Sequence, residues 1–206
     1  MPDGGLRCEK GERDGGFTLI EMTIAMMLLM VVLSLVMVSL VSLQRSVSTA
    51  DARTQTVDQV RLAVEQIDRE VRSGNIFYPP FSSGSNPELL VYTEANGNQR
   101  CVEWQVDTTS QALQSRSWTP TWQTDGSPST VPWSTIATGV TNTLSNPPFS
   151  LASTTIYGGR ILNIDITTNA TNSQSAGSAI TDSVEGRNTV YGYSADSCSA
   201  TDAPST

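Results

Sequence analysis

The most unusual chemical group in this sequence is a single carboxylate within its most apolar stretch. Glu21 lies in the block Phe17–Leu43, which from Met22 onward contains no charged residue, proline or glycine. A carboxylate at the centre of a bilayer costs ~2.5–3.5 kcal/mol on insertion scales. Glu21 therefore either lies near a helix end and reaches the lipid headgroups, or it pairs with a positive charge. The block contains no Lys or Arg, but a free α-amino group would supply that charge if the chain were cut just before Phe17.

Catalytic chemistry has little support in the rest of the sequence. The 206 residues include no histidine, which excludes Ser-His-Asp and Cys-His nucleophile systems, histidine-ligated zinc and facial-triad iron. No P-loop, dinucleotide-binding fingerprint, nucleophile elbow or CxxC motif occurs, and the sequence singles out no pair of acids for glycosidase chemistry. We predict that the protein is not an enzyme and needs no metal or cofactor. Its formal net charge of −8 argues against a protein that coats nucleic acid, although a few arginines can still form a local site.

The block around Glu21 is long enough to cross a membrane as a helix. At ~1.5 Å per residue its 27 residues extend about 40 Å, more than the ~30 Å hydrocarbon core of a bilayer. A secretory signal peptide has a shorter apolar region, ~7–15 residues, followed by a cleavage site with small residues. No such site follows Leu43, so we predict a membrane-spanning helix that is retained.

The segment GGFTLIE, residues 15–21, resembles the processing motif of type IV prepilins and pseudopilins. The resemblance implies that residues 1–16 are a leader, that a membrane prepilin peptidase cuts between Gly16 and Phe17, and that Phe17 is then N-methylated. It also implies that Glu21 meets the α-amino group of a neighbouring subunit in a filament, where the ion pair would fix the register between helices. The implied partners are the prepilin peptidase, other pilin subunits contacted through the N-terminal helix, the membrane and the pilus assembly platform.

A single helix is predicted from Phe17 to Ser73. Residues 17–43 form its transmembrane and assembly part, and residues 44–73 form an amphipathic stalk whose apolar residues recur at spacings of three and four: Val57, Val60, Val64, Ile67 and Val71. This seam can pack against the protein's own sheet or form a two-stranded coiled coil. Only about two heptads are present, fewer than the ~3–4 that indicate a coiled coil, so packing against the sheet is favoured.

Two further features of the sequence concern where the helix ends and which class of pilin the chain resembles. Gly74 follows the last turn and is predicted to cap it. The stalk segment RLAVEQIDREVRSGNI resembles the stalks of minor pilins and of the larger minor pseudopilins of type II secretion. Many major pilins carry Gly or Pro within the apolar helix, whereas this chain has neither between Phe17 and Val71, which favours a minor pilin or pseudopilin.

Residues 74–206 are predicted to form an extracytoplasmic head of antiparallel β-sheet, giving an α+β, type IV pilin-like fold in which the helix packs on the sheet. An Asn96-Gly97 turn is predicted to join the first two strands. The predicted strands are Leu89–Tyr92, Cys101–Val106, Ala112–Trp118, Thr135–Thr138, Phe149–Ala152, Arg160–Thr167 and Thr189–Tyr193. In the strand Arg160–Thr167, the face from Leu162 to Ile166 is predicted to be buried.

Two long polar segments of the head, Thr119–Pro132 and Asn169–Asp182, are predicted to be loops. Three tryptophans lie around the first loop: Trp118, Trp122 and Trp133. They either anchor this loop against the core or offer exposed aromatic contacts to a partner subunit, a surface or a carbohydrate.

Cleavage after Gly16 would remove Cys8 with the leader and leave Cys101 and Cys198. An even pair of cysteines in an exported domain indicates a disulfide, although two separate buried thiols are the alternative. The bond would tie the C-terminal tail to an early strand of the head.

The sequence favours a minor type IV pilin, held by a single pass in the cytoplasmic membrane with its head outside the cytoplasm, and then built into a pilus or priming one. The alternatives are a minor pseudopilin of a type II secretion or DNA-uptake system and a signal-anchored extracellular binding domain. A plain anchor would retain residues 1–16, so the mature N-terminus separates this last alternative from the others.

Overall fold

The computed structural model describes residues 16–94, 97–152, 159–169, 177–187, 198 and 203–206. The protein begins with one long helix, α1 (Leu19–Ser73), and the described part of the chain after it holds nine β-strands. By internal contacts the chain divides into two units, Met1–Val47 and Ser48–Thr206, and α1 runs through both. The predicted helix Phe17–Ser73 is confirmed, except that it begins two residues later.

The strands form two antiparallel sheets, both in the second unit. They are β1 (Gly74–Phe77), β2 (Phe81–Ser83), β3 (Asn86–Thr93), β4 (Arg100–Asp107), β5 (Ala112–Trp118), β6 (Ser134–Thr138), β7 (Phe149–Leu151), β8 (Ile161–Thr168) and β9 (Ser178–Glu185). The first sheet has the order β1-β3-β4-β5-β6, with β2 also paired to β3, and the second has the order β7-β8-β9. The predicted α+β class with an antiparallel head is therefore confirmed.

Six of the seven predicted strands correspond to observed ones, β3 to β8, with ends that differ by at most three residues. The seventh, Thr189–Tyr193, lies outside the described residues, as does Asn96 of the predicted turn. The turn's second residue, Gly97, has a φ of 75°, a left-handed conformation that glycine adopts without steric cost.

Three strands were not predicted, and one of them corrects a predicted loop. The segment Asn169–Asp182 is not a loop throughout, because β9 begins at Ser178 and pairs along its length with β8. β9 carries small polar residues and only Val184 is fully buried, so it lacks the apolar alternation by which a strand is recognised. The other two, β1 and β2, are only four and three residues long.

The stalk packs against the protein's own sheets, as predicted, rather than requiring a second helix. Its buried residues are Thr56, Val60, Ala63, Val64, Ile67 and Val71, while the predicted seam residue Val57 is half-buried. The stalk shares one apolar core with both sheets, including Trp104 of β4 and the buried alternating face of β8, which is Leu162, Ile164 and Ile166. Burial of each such side chain contributes roughly 1.5–3 kcal/mol to folding.

A second, smaller apolar cluster covers the outer face of the first sheet, which is the face turned away from α1. It includes Tyr92, Cys101, Trp118 and Cys198, with Trp122 packed against it. Trp118 is buried, and Trp122 and Trp133 are half-buried. The tryptophans therefore anchor the loop, which is the first of the two predicted roles, and Thr119–Pro132 contains no strand, as predicted.

Gly74 serves a different purpose from the predicted helix cap. It does not take the left-handed conformation of a C-terminal cap; it starts β1 directly and pairs with Thr93. A Cβ atom at this position would lie 2.8 Å from the Glu70 carbonyl oxygen and 3.0 Å from Val91 Cγ1. Glycine is needed here because the helix and β3 approach too closely for any side chain.

Gly74→Ala is therefore expected to destabilise the head by about 1–3 kcal/mol, since the added methyl group would force backbone atoms apart. Chemical denaturation of the full chain in detergent, followed by tryptophan fluorescence, measures this loss. Ser83→Ala is a suitable control, because Ser83 is exposed on β2 and its truncation should change stability by no more than about 0.5 kcal/mol. Equal stability of the two variants would contradict the steric account.

Candidate functional site

The candidate functional site is the short segment at which α1 begins. Gly16 and Phe17 precede the helix, and Phe17 is 82% exposed. Thr18 caps the helix: its side-chain oxygen accepts a hydrogen bond from the Glu21 amide at 3.3 Å, and its carbonyl accepts one from the Met22 amide at 3.2 Å. A capping threonine satisfies amide groups that the first helical turn would otherwise leave unpaired.

Thr18 is a residue of this site that the sequence analysis did not single out. The signal was present, because Thr18-Leu19-Ile20-Glu21 fits the spacing of a capping box, a Ser or Thr followed three residues later by Glu or Gln. The capped helix start places Glu21 in the first turn of α1. It also leaves the main chain at Gly16 and Phe17 outside the helix, where an enzyme can reach it.

Glu21 is exposed and lies in the first turn of α1. Its backbone amide is bonded to Thr18, but within the described segments no hydrogen bond or ion pair involves its carboxylate. The N-terminus of a helix favours a negative charge by about 0.3–1 kcal/mol at the surface. That effect is far smaller than the cost of an unpaired charge in an apolar assembly. Pairing of Glu21 with an α-amino group stays a prediction.

The helix that follows exposes an extensive apolar surface. Twenty large apolar side chains between Phe17 and Leu43 are each at least 46% exposed. The helix is long and apolar enough to cross a membrane, by length and composition. Three hydroxyl groups within this helix donate hydrogen bonds of 2.7–2.9 Å to main-chain carbonyls three or four residues earlier. They are those of Thr23, Ser34 and Ser39. Since such bonds satisfy these polar groups internally, the surface suits lipid or other apolar helices.

The two cysteines predicted to pair lie in the second unit, where they form a disulfide with Cα atoms 5.7 Å apart. Cys101 is on β4, and the Cys198 amide donates to the Tyr78 hydroxyl at 3.0 Å. Both cysteines are buried in the outer-face cluster. The bond therefore fastens the C-terminal part of the head across the first sheet.

A half-buried acid positions the end of the stalk on this head. Glu70 accepts hydrogen bonds from Gln66 Nε2 at 3.0 Å and from Trp104 Nε1 at 2.7 Å. Burial raises the pKa of Glu70 above its ordinary value, and the two hydrogen bonds oppose that rise. Because both carboxylate oxygens are engaged within the protein, Glu70 has a structural role that no local sequence pattern indicates.

A polar cavity of about 830 Å³ lies beside Glu70, between the last turns of α1 and the end of the first sheet. Hydroxyl and amide side chains form most of its lining, and its only described acid is Glu70. No group of three potential metal ligands occurs among the described residues. The described lining therefore offers hydrogen bonds but no pair of acids.

The site and the fold together define a class of protein: a membrane-length apolar helix that continues into a β-sheet head. A family model described as the prokaryotic N-terminal methylation motif matches residues 13–41. No curated protein and no solved structure shows significant similarity to the chain. With the long N-terminal helix and the antiparallel head, the motif makes the chain a type IV pilin-like protein.

Proteins of this kind are in general structural rather than catalytic. The motif implies processing by a prepilin peptidase and assembly with other pilins. The apolar helix and the motif are consistent with a protein anchored in the inner membrane with its head outside the cytoplasm.

Proposed function

We propose that the chain is a minor type IV pilin, a structural subunit that is inserted into a pilus or primes one. The observation that carries the proposal is the methylation motif at residues 13–41, located where α1 exposes its apolar surface. In this proposal residues 1–16 are the leader, 17–43 the transmembrane and assembly helix, 44–73 the stalk and 74–206 the head. The prepilin peptidase cuts between Gly16 and Phe17, and Phe17 is N-methylated.

The helix supports a minor rather than a bulk subunit. α1 is continuous from Leu19 to Ser73, and no Gly or Pro interrupts it between Phe17 and Val71. Such a helix keeps its hydrogen-bond ladder throughout, so it transfers from lipid to a filament without exposing main-chain polar groups. The same apolar surface would be covered by lipid before assembly and by neighbouring pilin helices, delivered by the assembly platform, afterwards.

In this proposal, Glu21 fixes the axial register between the helices of neighbouring subunits. Cleavage before Phe17 creates a new α-amino group four residues away from the Glu21 position in the chain. In a filament, the Glu21 carboxylate of one subunit meets the amino group of its neighbour, and this pairing offsets much of the cost of burying either charge. A helix displaced along its axis would bury both charges unpaired, which disfavours incorrect register.

The experiment that tests the proposal is to determine the N-terminus and intact mass of the protein purified from its native membrane, with and without the prepilin peptidase gene. The expected mature chain begins at N-methylated Phe17 only when the peptidase is present. Gly16→Val should block this cleavage almost completely, because the peptidase would meet a branched side chain next to the bond it cuts.

The Gly16→Val result can be attributed to recognition because, apart from Gly16 and its two chain neighbours, no atom of the described chain lies within 4 Å of a Cβ built at this position. The substitution should therefore leave the thermal unfolding of the head unchanged. Ser34→Ala, within the apolar helix but remote from the cut, should be processed like the wild type. A mature chain that still begins near Met1 with the peptidase present would contradict the proposal and favour a signal-anchored extracellular binding domain.

A minor pseudopilin of type II secretion or DNA uptake is the alternative with the same processing. The resemblance of the stalk segment to larger minor pseudopilins supports it. Deletion of the gene separates the two functions: loss of surface pili with normal protein secretion supports a pilin, whereas loss of secretion or DNA uptake with normal pili supports a pseudopilin.

A further inference from the structure

Three charged side chains lie next to one another across the outer face of the first sheet. Glu88, Glu103 and Arg116 belong to the adjacent strands β3, β4 and β5. The register places Arg116 directly opposite Glu103, and Glu88 lies diagonally across from Glu103 because it pairs with Gln105. Glu88 and Glu103 are only 4% and 2% exposed. Arg116 Nε donates to Glu103 Oε2 at 2.6 Å.

The same arginine holds the C-terminal tail. Arg116 donates from a terminal guanidinium nitrogen to the Pro204 carbonyl at 2.9 Å. Its guanidinium carbon lies 4.5 Å from the centre of the Trp133 ring and 5.3 Å from that of Trp118, which are cation–π distances. The tail also pairs with the loop before β6, since the Val131 amide donates to Ser205 at 2.8 Å and the Ser205 amide to Ser129 at 2.9 Å.

Arg116 is therefore the cation beside two buried carboxyl groups, and it also binds the C-terminal tail. Among the described residues, the charged groups that act on Glu88 are Glu103 and Arg116. Its other described surroundings are uncharged: Gln105 opposite it, and a groove lined by Pro80, Phe81, Ser82, Pro87, Leu144, Pro147 and Phe149. The cluster is electrically balanced only when one of the two carboxyl groups carries a proton.

Of these two carboxyl groups, Glu88 is the one that carries the proton. Burial, and then the negative charge of Glu103, raise the pKa of Glu88 to about 7. Burial also raises the pKa of Glu103, but the neighbouring Arg116 opposes that rise. A protonated Glu88 and an ionised Glu103 can share a carboxyl–carboxyl hydrogen bond while Arg116 remains paired with Glu103.

We propose that Arg116 is a pH-dependent latch: it holds residues 203–206 and the loop bearing Trp133 on the first sheet while Glu88 is protonated, and it releases them when Glu88 ionises. A second carboxylate competes for the guanidinium donors that hold Pro204.

The direction of the pH dependence follows from linkage. The latched state binds the Glu88 proton more tightly than a released state in which the Arg116 guanidinium is free to pair with the Glu88 carboxylate. Latching is therefore fully favoured below the ordinary glutamate pKa of 4.5 and is lost as pH rises through about 7. The tail of the head would be fastened in mildly acidic surroundings and mobile in alkaline ones.

Amide hydrogen exchange in the full chain, held in detergent micelles, tests the latch. The Val131 and Ser205 amides report tail docking directly because each bonds across the tail–loop pairing. Their protection factors, corrected for the intrinsic pH dependence of exchange, should fall by roughly tenfold or more between about pH 5.5 and 8.5. The Trp104 amide in the central strand β4 should stay protected, because the sheet itself does not open.

Glu88→Gln should remove this pH dependence and keep the tail protected at alkaline pH. Glu185→Gln, which neutralises an exposed acid on β9, should behave as the wild type. Protection of Ser205 that does not vary with pH in the wild type, or that varies equally in Glu88→Gln, would overturn the proposal.

A second measurement needs no substitution and so does not depend on the folding of a variant. The ¹³C shift of the Glu88 carboxyl in the wild type should titrate with the same midpoint as the Ser205 protection factor. Two clearly separate midpoints would show that Glu88 ionises without moving the tail, and the latch would be wrong.

Discussion

Glu21→Gln is expected to abolish incorporation of the protein into filaments while leaving its membrane insertion and head folding intact. On the proposed assembly, glutamine cannot neutralise the α-amino group of the neighbouring subunit, so that charge would be buried without a partner. Breaking one side of a buried ion pair costs about 3–5 kcal/mol, and a cost of this size at each contact strongly disfavours assembly. The fraction of the protein recovered in sheared filaments, relative to that left in the membrane, measures the effect.

The control for this prediction separates assembly from processing and folding. The mature N-terminus of Glu21→Gln should still be Phe17, because the substitution does not alter the cleaved bond. Ser34→Ala should enter filaments normally, since within the described part of the chain its hydroxyl bonds only to the carbonyl of Val31 in the same helix. Incorporation of Glu21→Gln at the wild-type level would show that the carboxylate merely reaches the headgroups and has no role in register.

Loss of the Cys101–Cys198 disulfide is expected to have the largest effect on stability. The bond closes a loop with a sequence separation of 97 residues, for which the chain-entropy model gives about 4–5 kcal/mol. The double variant Cys101→Ser/Cys198→Ser should lose most of this free energy of unfolding, because its unfolded chain gains conformations that the disulfide forbids. Chemical denaturation of the full chain, followed by tryptophan fluorescence, measures the loss.

Reduction provides a matched control for the disulfide prediction. A reducing agent should lower the stability of the wild-type chain to about that of the double variant and leave the double variant unchanged. Because Arg116 and the pairing of Ser205 also hold the tail, the reduced head should still fold. A wild-type chain whose stability is insensitive to reduction would mean that the cross-link does not constrain the unfolded chain as the model requires, and the expected loss would be wrong.

The candidate N-terminal site could be proposed from the sequence because all of its residues are close together in the chain. Gly16, Phe17 and Glu21 lie within six consecutive positions, and the apolar run that follows determines its own helix. The same holds for the strand β8, whose alternation of apolar and polar residues marks the buried face of Leu162, Ile164 and Ile166. In both cases the periodicity of the chain matches the periodicity of the element that it forms.

Strands that derive their stability from neighbours could not be predicted in this way. β9 is formed largely by main-chain pairing with β8, and its side chains are mostly small and exposed. Gly74 has the residue type of a helix cap, yet its role depends on the distance between the end of α1 and Val91 of β3. A local sequence pattern reveals neither which strand will pair with β9 nor how closely α1 will approach β3.

By itself the sequence determined that this protein has one long apolar helix with a lone carboxylate near its start, a processing motif before it and an antiparallel head after it. Only the tertiary structure decided that the stalk shares one core with both sheets, and that Glu88, Glu103 and Arg116 lie together on the outer face of the first sheet, where Arg116 also binds the C-terminal tail. The physical reason is the range of the interactions. Helical and strand periods act over a few residues, whereas strand register brings together side chains that are far apart in the chain, and burial then changes the energy of their charges.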